Sequence, residues 1–536
     1  MADEKIFLLG DEAVAQGALD GGMSGCYAYP GTPSTEIMEY VQASKEAADR
    51  NVQREWSANE KTAMEAALGM SYAGKRAMVC MKHVGLNVAA DPFMNAAITG
   101  VNGGLLVVVA DDPSMHSSQN EQDSRFYGKF ARIPVLEPSG QQEAYDMARN
   151  GLAMSEKFGV PVMLRLVTRL AHSRTAVKRS SVVKENGLQL PSDLHQFILL
   201  PSMARKRNKL LLSGQAAFAE AAEKSPDNKL VISPGADRGI IACGLAYNYV
   251  MEVLGGNAGG NNLLKISQYP APVEKIRKIL DHSETVYLFE EGYPMLEEQL
   301  RGLPPEHIHI RGRMDGTLPA DGELNPNLVA QVLGKPYPKG MTIPSIVTGR
   351  PPSFCPGCSH IDVYKALKVA LAGYGHGRVF SDIGCYTLGA LPPYDTINSC
   401  VDMGASITMA VGAADAGLIP AVAVIGDSTF THSGMTGLLD AVDKNSNILV
   451  IISDNSATAM TGGQKPAGLD KIEQICIGLG VKPGHVRTLI PLRKNHEDNV
   501  KVMEEELSHE GVSVIVARRE CVRVTAKRKR LEKQSK

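Results

Sequence analysis

Two short polar turns near the end of the chain each follow an apolar run. Gly426-Asp427-Ser428-Thr429-Phe430 comes after Ala421 to Ile425, and Ser453-Asp454-Asn455-Ser456-Ala457 comes after Ile448 to Ile452. Apolar runs of this length, bounded by turn residues, read as buried strands. Asp427 and Asn455 are 28 residues apart, which fits a strand end, a helix and a neighbouring strand. Both side chains then reach one sheet edge. A carboxylate and an amide oxygen so placed suit a Mg²⁺ that keeps its other positions for phosphate oxygens. Gly426 and Ser428 frame the first turn, and the Ala457 carbonyl is a third candidate ligand. The competing reading of Gly426-Asp427-Ser428, a tight turn with a helix cap, leaves the second turn unexplained.

The cysteines offer a second chemistry. Cys355-Pro356-Gly357-Cys358 places two thiols for one metal or cluster, and Cys385 follows in Ser381-Asp382-Ile383-Gly384-Cys385, again at a strand end. A zinc site, a redox dithiol and an iron–sulfur site all fit the Cys-x-x-Cys spacing. Cys400, beside a helix expected from Gly404 to Gly417, reads as packing. Nine cysteines are too few and too scattered for a disulfide scaffold in so long a chain. Earlier in the chain, Tyr29-Pro30-Gly31-Thr32-Pro33-Ser34-Thr35-Glu36 is a rigid loop after a strand. Thr32 either presents its hydroxyl to a ligand or, with Ser34, caps the next helix. His83, after another strand, stands beside a cofactor or is structural. The polar stretch Ser117 to Arg125 suits substrate contacts or a subunit interface.

The paired turns resemble the Mg²⁺–diphosphate motif of thiamine diphosphate enzymes, usually Gly-Asp-Gly followed by Asn-Asn. Ser428 and Asp454 depart from that wording. Gly-Asp-Ser-Thr-Phe-x-His-Ser-Gly and Asp-Asn-Ser-x-Thr-Ala-Met-Thr-Gly are instead similar to the indolepyruvate-type large (alpha) subunits of the 2-oxoacid:ferredoxin oxidoreductase family. The resemblance extends over nearly the whole chain. It implies thiamine diphosphate, with Mg²⁺ held by Asp427, Asn455 and Ala457, and Glu60 as the catalytic activator of the pyrimidine ring, with Glu65 as the competitor for that role and Glu55 a weaker one. It implies a substrate contact for Thr32. It favours one [4Fe–4S] cluster on Cys355, Cys358, Cys385 and Cys521, the last following a strand from Val512 to Ala517. The implied reaction is oxidative decarboxylation of arylpyruvates by coenzyme A and oxidised ferredoxin, giving aryl-acetyl-CoA, CO₂ and reduced ferredoxin. A smaller beta subunit completes the enzyme as a heterodimer or heterotetramer. Relatives commonly continue into a ferredoxin-like domain with two cysteine-rich cluster motifs. This sequence shows neither motif, so a single cluster passing electrons to a separate ferredoxin is expected. The alternatives are a non-redox thiamine diphosphate decarboxylase or carboligase, and a non-catalytic assembly subunit. The presence of Asp427, Asn455 and Glu60 argues against the second.

These residues need an α/β frame. The 536 residues are 44% hydrophobic and 21% charged, with 52 Gly and 30 Pro, as suits many strand–helix junctions. Strands are expected at Ile6 to Gly10, Cys26 to Tyr29, Ala77 to Met81, Leu105 to Ala110 and Pro161 to Leu166. Helices are expected at Asp11 to Gly21, Thr35 to Asn51, Ala58 to Ala73 and Gln141 to Phe158. Such alternation builds parallel sheets flanked by helices. The resemblance implies two thiamine-diphosphate-binding-fold domains with a smaller transketolase-C-terminal-like α/β domain between them. The expected division is 1–195 for the pyrimidine side, 196–227 as a linker, 228–345 for the small domain, 346–525 for the diphosphate side with its cysteines, and 526–536 as a basic tail. The polar stretch from Arg174 to Lys209 reads as linker-like. A net charge of −2 gives no case for nucleic acid, and no apolar stretch reaches the roughly 20 residues that span a bilayer. No signal peptide is evident, so a cytoplasmic protein is expected. The basic residues from Arg518 to Lys536 form a solvated terminal helix or aid docking of an acidic partner.

Overall fold

A computed structural model describes residues 5–301, 308–338, 340–349 and 351–534. The chain forms two compact units, Met1–Thr342 and Ile343–Lys536.

In the first unit a six-stranded sheet runs in the order Gln268–Tyr269, Val135–Leu136, Val162–Val167, Leu105–Asp111, Ala77–Lys82 and Gly25–Ala28. All its pairs are parallel except the first. Strands such as Leu105–Asp111 are buried along their whole length, because helices cover both faces. A second, five-stranded sheet has the order His309–Arg311, Thr285–Phe289, Arg238–Cys243, Asn262–Ile266 and Leu230–Val231. Gln268–Tyr269 leaves this second sheet and pairs with Val135–Leu136 of the first, stitching the two layers together.

Two elements depart from expectation. The helix expected from Thr35 to Asn51 breaks into Thr35–Ala43 and Lys45–Asp49. Ser44 is the cause: it turns extended, and its hydroxyl accepts a hydrogen bond from the Ala47 N–H at 3.2 Å, capping the second piece. The linker-like stretch is structured. Arg174–Lys178 is a strand paired antiparallel with Lys5–Leu9, and Pro201–Lys224 is a 24-residue helix. That helix buries only a narrow stripe, Leu211, Phe218 and Ala222, and leaves other apolar residues such as Leu210 and Leu212 exposed.

The second unit holds a six-stranded, wholly parallel sheet: Ser399–Cys400, Val379–Ser381, Ala421–Gly426, Ile448–Asp454, Val512–Arg518 and Val486–Leu489. Separate apolar clusters cover its two faces. The register pairs Gly426 with Ser453 and Asp454 with Arg518, so three strands end together at one edge. Ligands in open parallel sheets bind at such carboxyl ends.

Candidate functional site

Asp427 opens the helical turn that follows Ala421–Gly426 and is 4% exposed. Gly426 permits this turn because the Tyr386 ring lies over it; a Cβ there would fall 2.6 Å from the ring. Asp427 accepts hydrogen bonds from the Ser428 N–H at 2.8 Å and the Ala457 N–H at 3.2 Å. Asn455 Oδ1 also accepts from the Ala457 N–H, at 3.1 Å. Asp427, Asn455 and Ala457 therefore form one buried turn. Ser456 between them adopts a left-handed φ of 58°, a conformation uncommon outside glycine and concentrated at functional loops. Ser428 and Thr458 share a hydroxyl contact of 2.9 Å across the two turns. Burial, and then the Asp454 carboxylate, push the Asp427 carboxyl up to about 7. A carboxylate so short of compensating charge fits a divalent cation. Beyond Asp427 the helix widens into a π-helical turn, Phe430–Gly434, a feature frequent at functional sites.

The four cysteines named from the sequence gather at the same edge of this unit. Cys358 immediately precedes the helix Ser359–Ala370, and its N–H donates to the Cys355 carbonyl at 3.0 Å. Cys385 begins a helical turn after Gly384. The Cys521 N–H donates to the Asn455 carbonyl at 2.9 Å, which ties it directly to the turn of Asp427 and Asn455. Burial pushes the Cys385 thiol up to about 12, and Cys358, Cys521, Cys355 and Asp427 act in the same direction. Burial likewise raises Cys358, with Cys355 and Cys521 adding to it. The four sulfurs are near enough to act on one another. Cys400, by contrast, is exposed on the edge strand Ser399–Cys400 rather than packed against the following helix. Its thiol reaches back to the Asp382 carbonyl at 3.8 Å.

Two buried groups here escaped the sequence reading. Asp382 is pushed up to about 7, chiefly by burial; it accepts hydrogen bonds from the Tyr386 and Ser406 hydroxyls. Tyr386 also donates to Thr429 at 3.1 Å, linking this carboxyl to the Asp427 turn. Burial holds His360 down at about 4, so it is neutral. Asp382 lies between a strand and Cys385, a position that signals a sheet edge but not a role.

In the first unit, Glu60 opens the helix Glu60–Tyr72 after the N-cap Asn59 and is 5% exposed. Gly85 makes room for it, since a Cβ there would lie 2.6 Å from Glu60 Oε1. Glu65 is exposed and paired with Lys61, and Glu55 is exposed. Burial thus separates Glu60 from both competitors. His83 is buried; Nε2 contacts the Asn120 carbonyl at 3.2 Å, and Nδ1 has no hydrogen-bond partner. Thr32 precedes a cis peptide to Pro33, and its carbonyl accepts from the Ser117 hydroxyl at 3.4 Å. The helix after the loop is not capped by a side chain of Ser34. Lys82, beside Thr32 through Ser117, donates to the Ser117 carbonyl at 2.6 Å, and burial lowers it to about 8.

The stretch Ser117 to Arg125 divides in two. Its start faces the Thr32 loop, whereas Asp123 and Arg125 are fully buried in an ion network internal to this unit. Arg125 meets Asp123 and Glu290; Arg165 meets Asp111 and Glu137. These carboxylates come from both sheets, so the network fastens one layer to the other.

Two family models match the chain. "Pyruvate flavodoxin/ferredoxin oxidoreductase, thiamine diP-bdg" covers residues 16–197, and "Thiamine pyrophosphate enzyme, C-terminal TPP binding domain" covers 382–517. Indolepyruvate oxidoreductase subunit IorA of Archaeoglobus fulgidus is 38% identical over 99% of this chain and 88% of its own. The same subunit of Pyrococcus abyssi is 39% identical over 97% of this chain and 86% of its own. Among solved structures, a 2-oxoglutarate:ferredoxin oxidoreductase from Magnetococcus marinus shares the fold, with a TM-score of 0.50 and 17% identity over 62% of this chain and 65% of that one. On the strength of these matches the chain belongs to the indolepyruvate oxidoreductase IorA family of oxidoreductase subunits.

Proposed function

We propose that this chain is the large subunit of a two-subunit enzyme that oxidatively decarboxylates arylpyruvates, indolepyruvate among them, to aryl-acetyl-CoA while reducing ferredoxin. The observation that carries the reading is the buried Asp427–Asn455–Ala457 turn with Cys521 hydrogen-bonded to it and three further thiols beside it. A non-redox decarboxylase has use for the turn but not for the thiols. Thiamine diphosphate, when bound, supplies the electron-sink chemistry of 2-oxoacid decarboxylation, and an iron–sulfur cluster supplies a path for single electrons.

The chain's own residues have distinct tasks. Asp427, Asn455 and the Ala457 carbonyl hold Mg²⁺ and through it the diphosphate, with Gly426 and Ser428 shaping the turn. Cys355, Cys358, Cys385 and Cys521 hold one [4Fe–4S] cluster. Glu60, buried at a helix start, holds a proton against a ring nitrogen, a task that a solvated carboxylate performs poorly. Thr32 and Lys82 face incoming substrate, Lys82 offering charge to its carboxylate, and His83 lines the cofactor side through its free Nδ1. The pyrimidine domain spans 1–195, the small domain 228–345 and the diphosphate domain 346–525. Among the described residues no helix is long and apolar enough to cross a membrane. The helix Val522–Gln534 has no buried residue and carries Arg523, Lys527, Arg528, Lys529, Arg530 and Lys533 directly after Cys521. It is the docking surface for an acidic ferredoxin. Anaerobic co-expression with the smaller subunit, assayed for acceptor reduction with a panel of 2-oxoacids and coenzyme A, tests the reading. Arylpyruvates are expected to be the preferred substrates. Activity with aliphatic 2-oxoacids alone refutes the substrate class.

A further inference from the structure

Away from the residues assigned above, three helix ends of the first unit bring Asp11, Glu36 and His172 together. Asp11 is the second residue of Gly10–Asp20, Glu36 the second of Thr35–Ala43, and His172 follows Thr168–Ala171. Gly10 makes the convergence possible. Its N–H donates to the Ser173 carbonyl at 3.2 Å, and a Cβ there would fall 2.2 Å from the Leu170 carbonyl oxygen. Any other residue would hold the helix off the 170–173 turn and Asp11 off His172.

The three side chains each offer one donor atom, and these atoms lie within 4.8 Å of one another. Asp11 is completely buried, yet neither of its oxygens has a hydrogen-bond partner. Its neighbour Glu12 is engaged elsewhere, accepting from the Leu9 N–H and pairing with Arg174. His172 Nε2 stands 3.5 Å from Glu36 Oε2. That is beyond the roughly 2.7–3.2 Å of a direct hydrogen bond. It is a long ion-pair contact that raises the imidazole and lowers the carboxyl, and it is equally the spacing of about 3.0–3.5 Å between two ligands of one cation with bonds of about 2.1 Å. The Glu36 and His172 side chains are each 35% exposed, which leaves an entry from solvent above the buried Asp11. Burial, followed by the charge of Glu36, drives the Asp11 carboxyl well above the usual range, so it lacks the positive partner a buried carboxylate requires.

We propose that Asp11, Glu36 and His172 form a structural site for a divalent transition-metal cation of the Zn²⁺ or Mn²⁺ class. Two carboxylate oxygens and one imidazole nitrogen suit such ions, with water completing the shell. The site is separate from the Mg²⁺ expected at Asp427, since it is built wholly from the first unit. It fastens the start of Thr35–Ala43, and with it the Thr32 loop, to the start of Gly10–Asp20. The test uses the full chain purified with thiamine diphosphate, Mg²⁺ and its iron–sulfur cluster, equilibrated with micromolar ZnCl₂ or MnCl₂ and desalted. Elemental analysis is expected to find one more equivalent of zinc or manganese in the native chain than in Asp11→Asn or His172→Ala. The native thermal midpoint is expected to rise with added metal while those of both variants stay fixed. His172→Ala, altered at a half-exposed position, keeps the comparison meaningful should Asp11→Asn misfold. Equal metal content in the native and variant chains overturns the proposal. So does an Asp11→Asn chain that equals or exceeds the native stability in the presence of metal, because Asp11 is then simply a protonated acid sharing its proton with Glu36.

Discussion

Replacing Asp427 with asparagine should separate the proton from the metal at the diphosphate turn. Burial and the Asp454 carboxylate hold Asp427 up to about 7, against 3.8 for an ordinary aspartate. Holding the charge there costs the folded, metal-free chain on the order of 4 kcal/mol. Because the folded value is raised, the folded state binds the extra proton between about pH 4 and pH 7. This group's contribution to metal-free stability is therefore full below pH 4 and is lost as pH rises through 7. A divalent cation competes with that proton. Near pH 8 about nine in ten Asp427 carboxyls are ionised, and at pH 6 about one in ten, so Mg²⁺-dependent cofactor affinity should fall about tenfold between them. Titration calorimetry of thiamine diphosphate with Mg²⁺ at pH 6, 7 and 8 measures this. The cofactor's own phosphate ionises nearby, so the informative quantity is the native profile minus that of Asp427→Asn. That variant should bind weakly at every pH and lack the additional tenfold slope. Parallel pH profiles for the two chains, or native-like affinity in Asp427→Asn, refute the assignment of Asp427 to the metal.

Glu60→Gln should lower turnover by about 10²–10⁴-fold while leaving cofactor affinity near native, since only the proton-holding function is removed; near-normal turnover in steady-state assays moves the role elsewhere. Arg165→Met takes a guanidinium from between Asp111 and Glu137, leaves Glu137 only the longer 3.7 Å ion pair with Arg125, and should cost about 3–5 kcal/mol in urea unfolding of the chain. A loss under 1 kcal/mol shows that the remaining Arg125 carries the network alone. Reversing charge with Arg528→Glu and Lys529→Glu should raise the KM for ferredoxin several-fold at low salt, with no change in rate to a small viologen dye. An unchanged KM removes the docking role from this helix.

The strand ends were the most legible part of the chain. The strands Ala421–Gly426 and Ile448–Asp454 begin with the unbroken apolar runs 421–425 and 448–452 because both faces of a parallel sheet are covered, and their turns carry unusual residues. Cys521 was singled out through resemblance alone. Its distance in sequence from Cys355 hides a backbone hydrogen bond to Asn455 that only strand pairing creates. Other features left little local signal. The helix Pro201–Lys224 buries three residues in 24 positions, too few for a period to stand out. Arg125 and Arg165 look like surface charges, and each is buried because carboxylates distant in sequence converge on it, Glu290 on Arg125 and Asp111 with Glu137 on Arg165. Asp382 and Lys82 sit at strand ends like many ordinary residues, and their burial follows from Tyr386 and from the Ser117 loop closing over them.

The central claim joins a diphosphate turn to a four-cysteine cluster in one redox enzyme. The most direct measurement is the iron, acid-labile sulfide and visible spectrum of the anaerobically purified two-subunit enzyme, before and after adding indolepyruvate with coenzyme A. Four iron and four sulfide per large subunit at the Cys355–Cys521 site, absent from Cys521→Ser, are expected, with absorbance that bleaches on substrate and recovers with oxidised ferredoxin. A native enzyme without this cluster, or one that releases the aryl aldehyde while the absorbance stays unchanged, contradicts it.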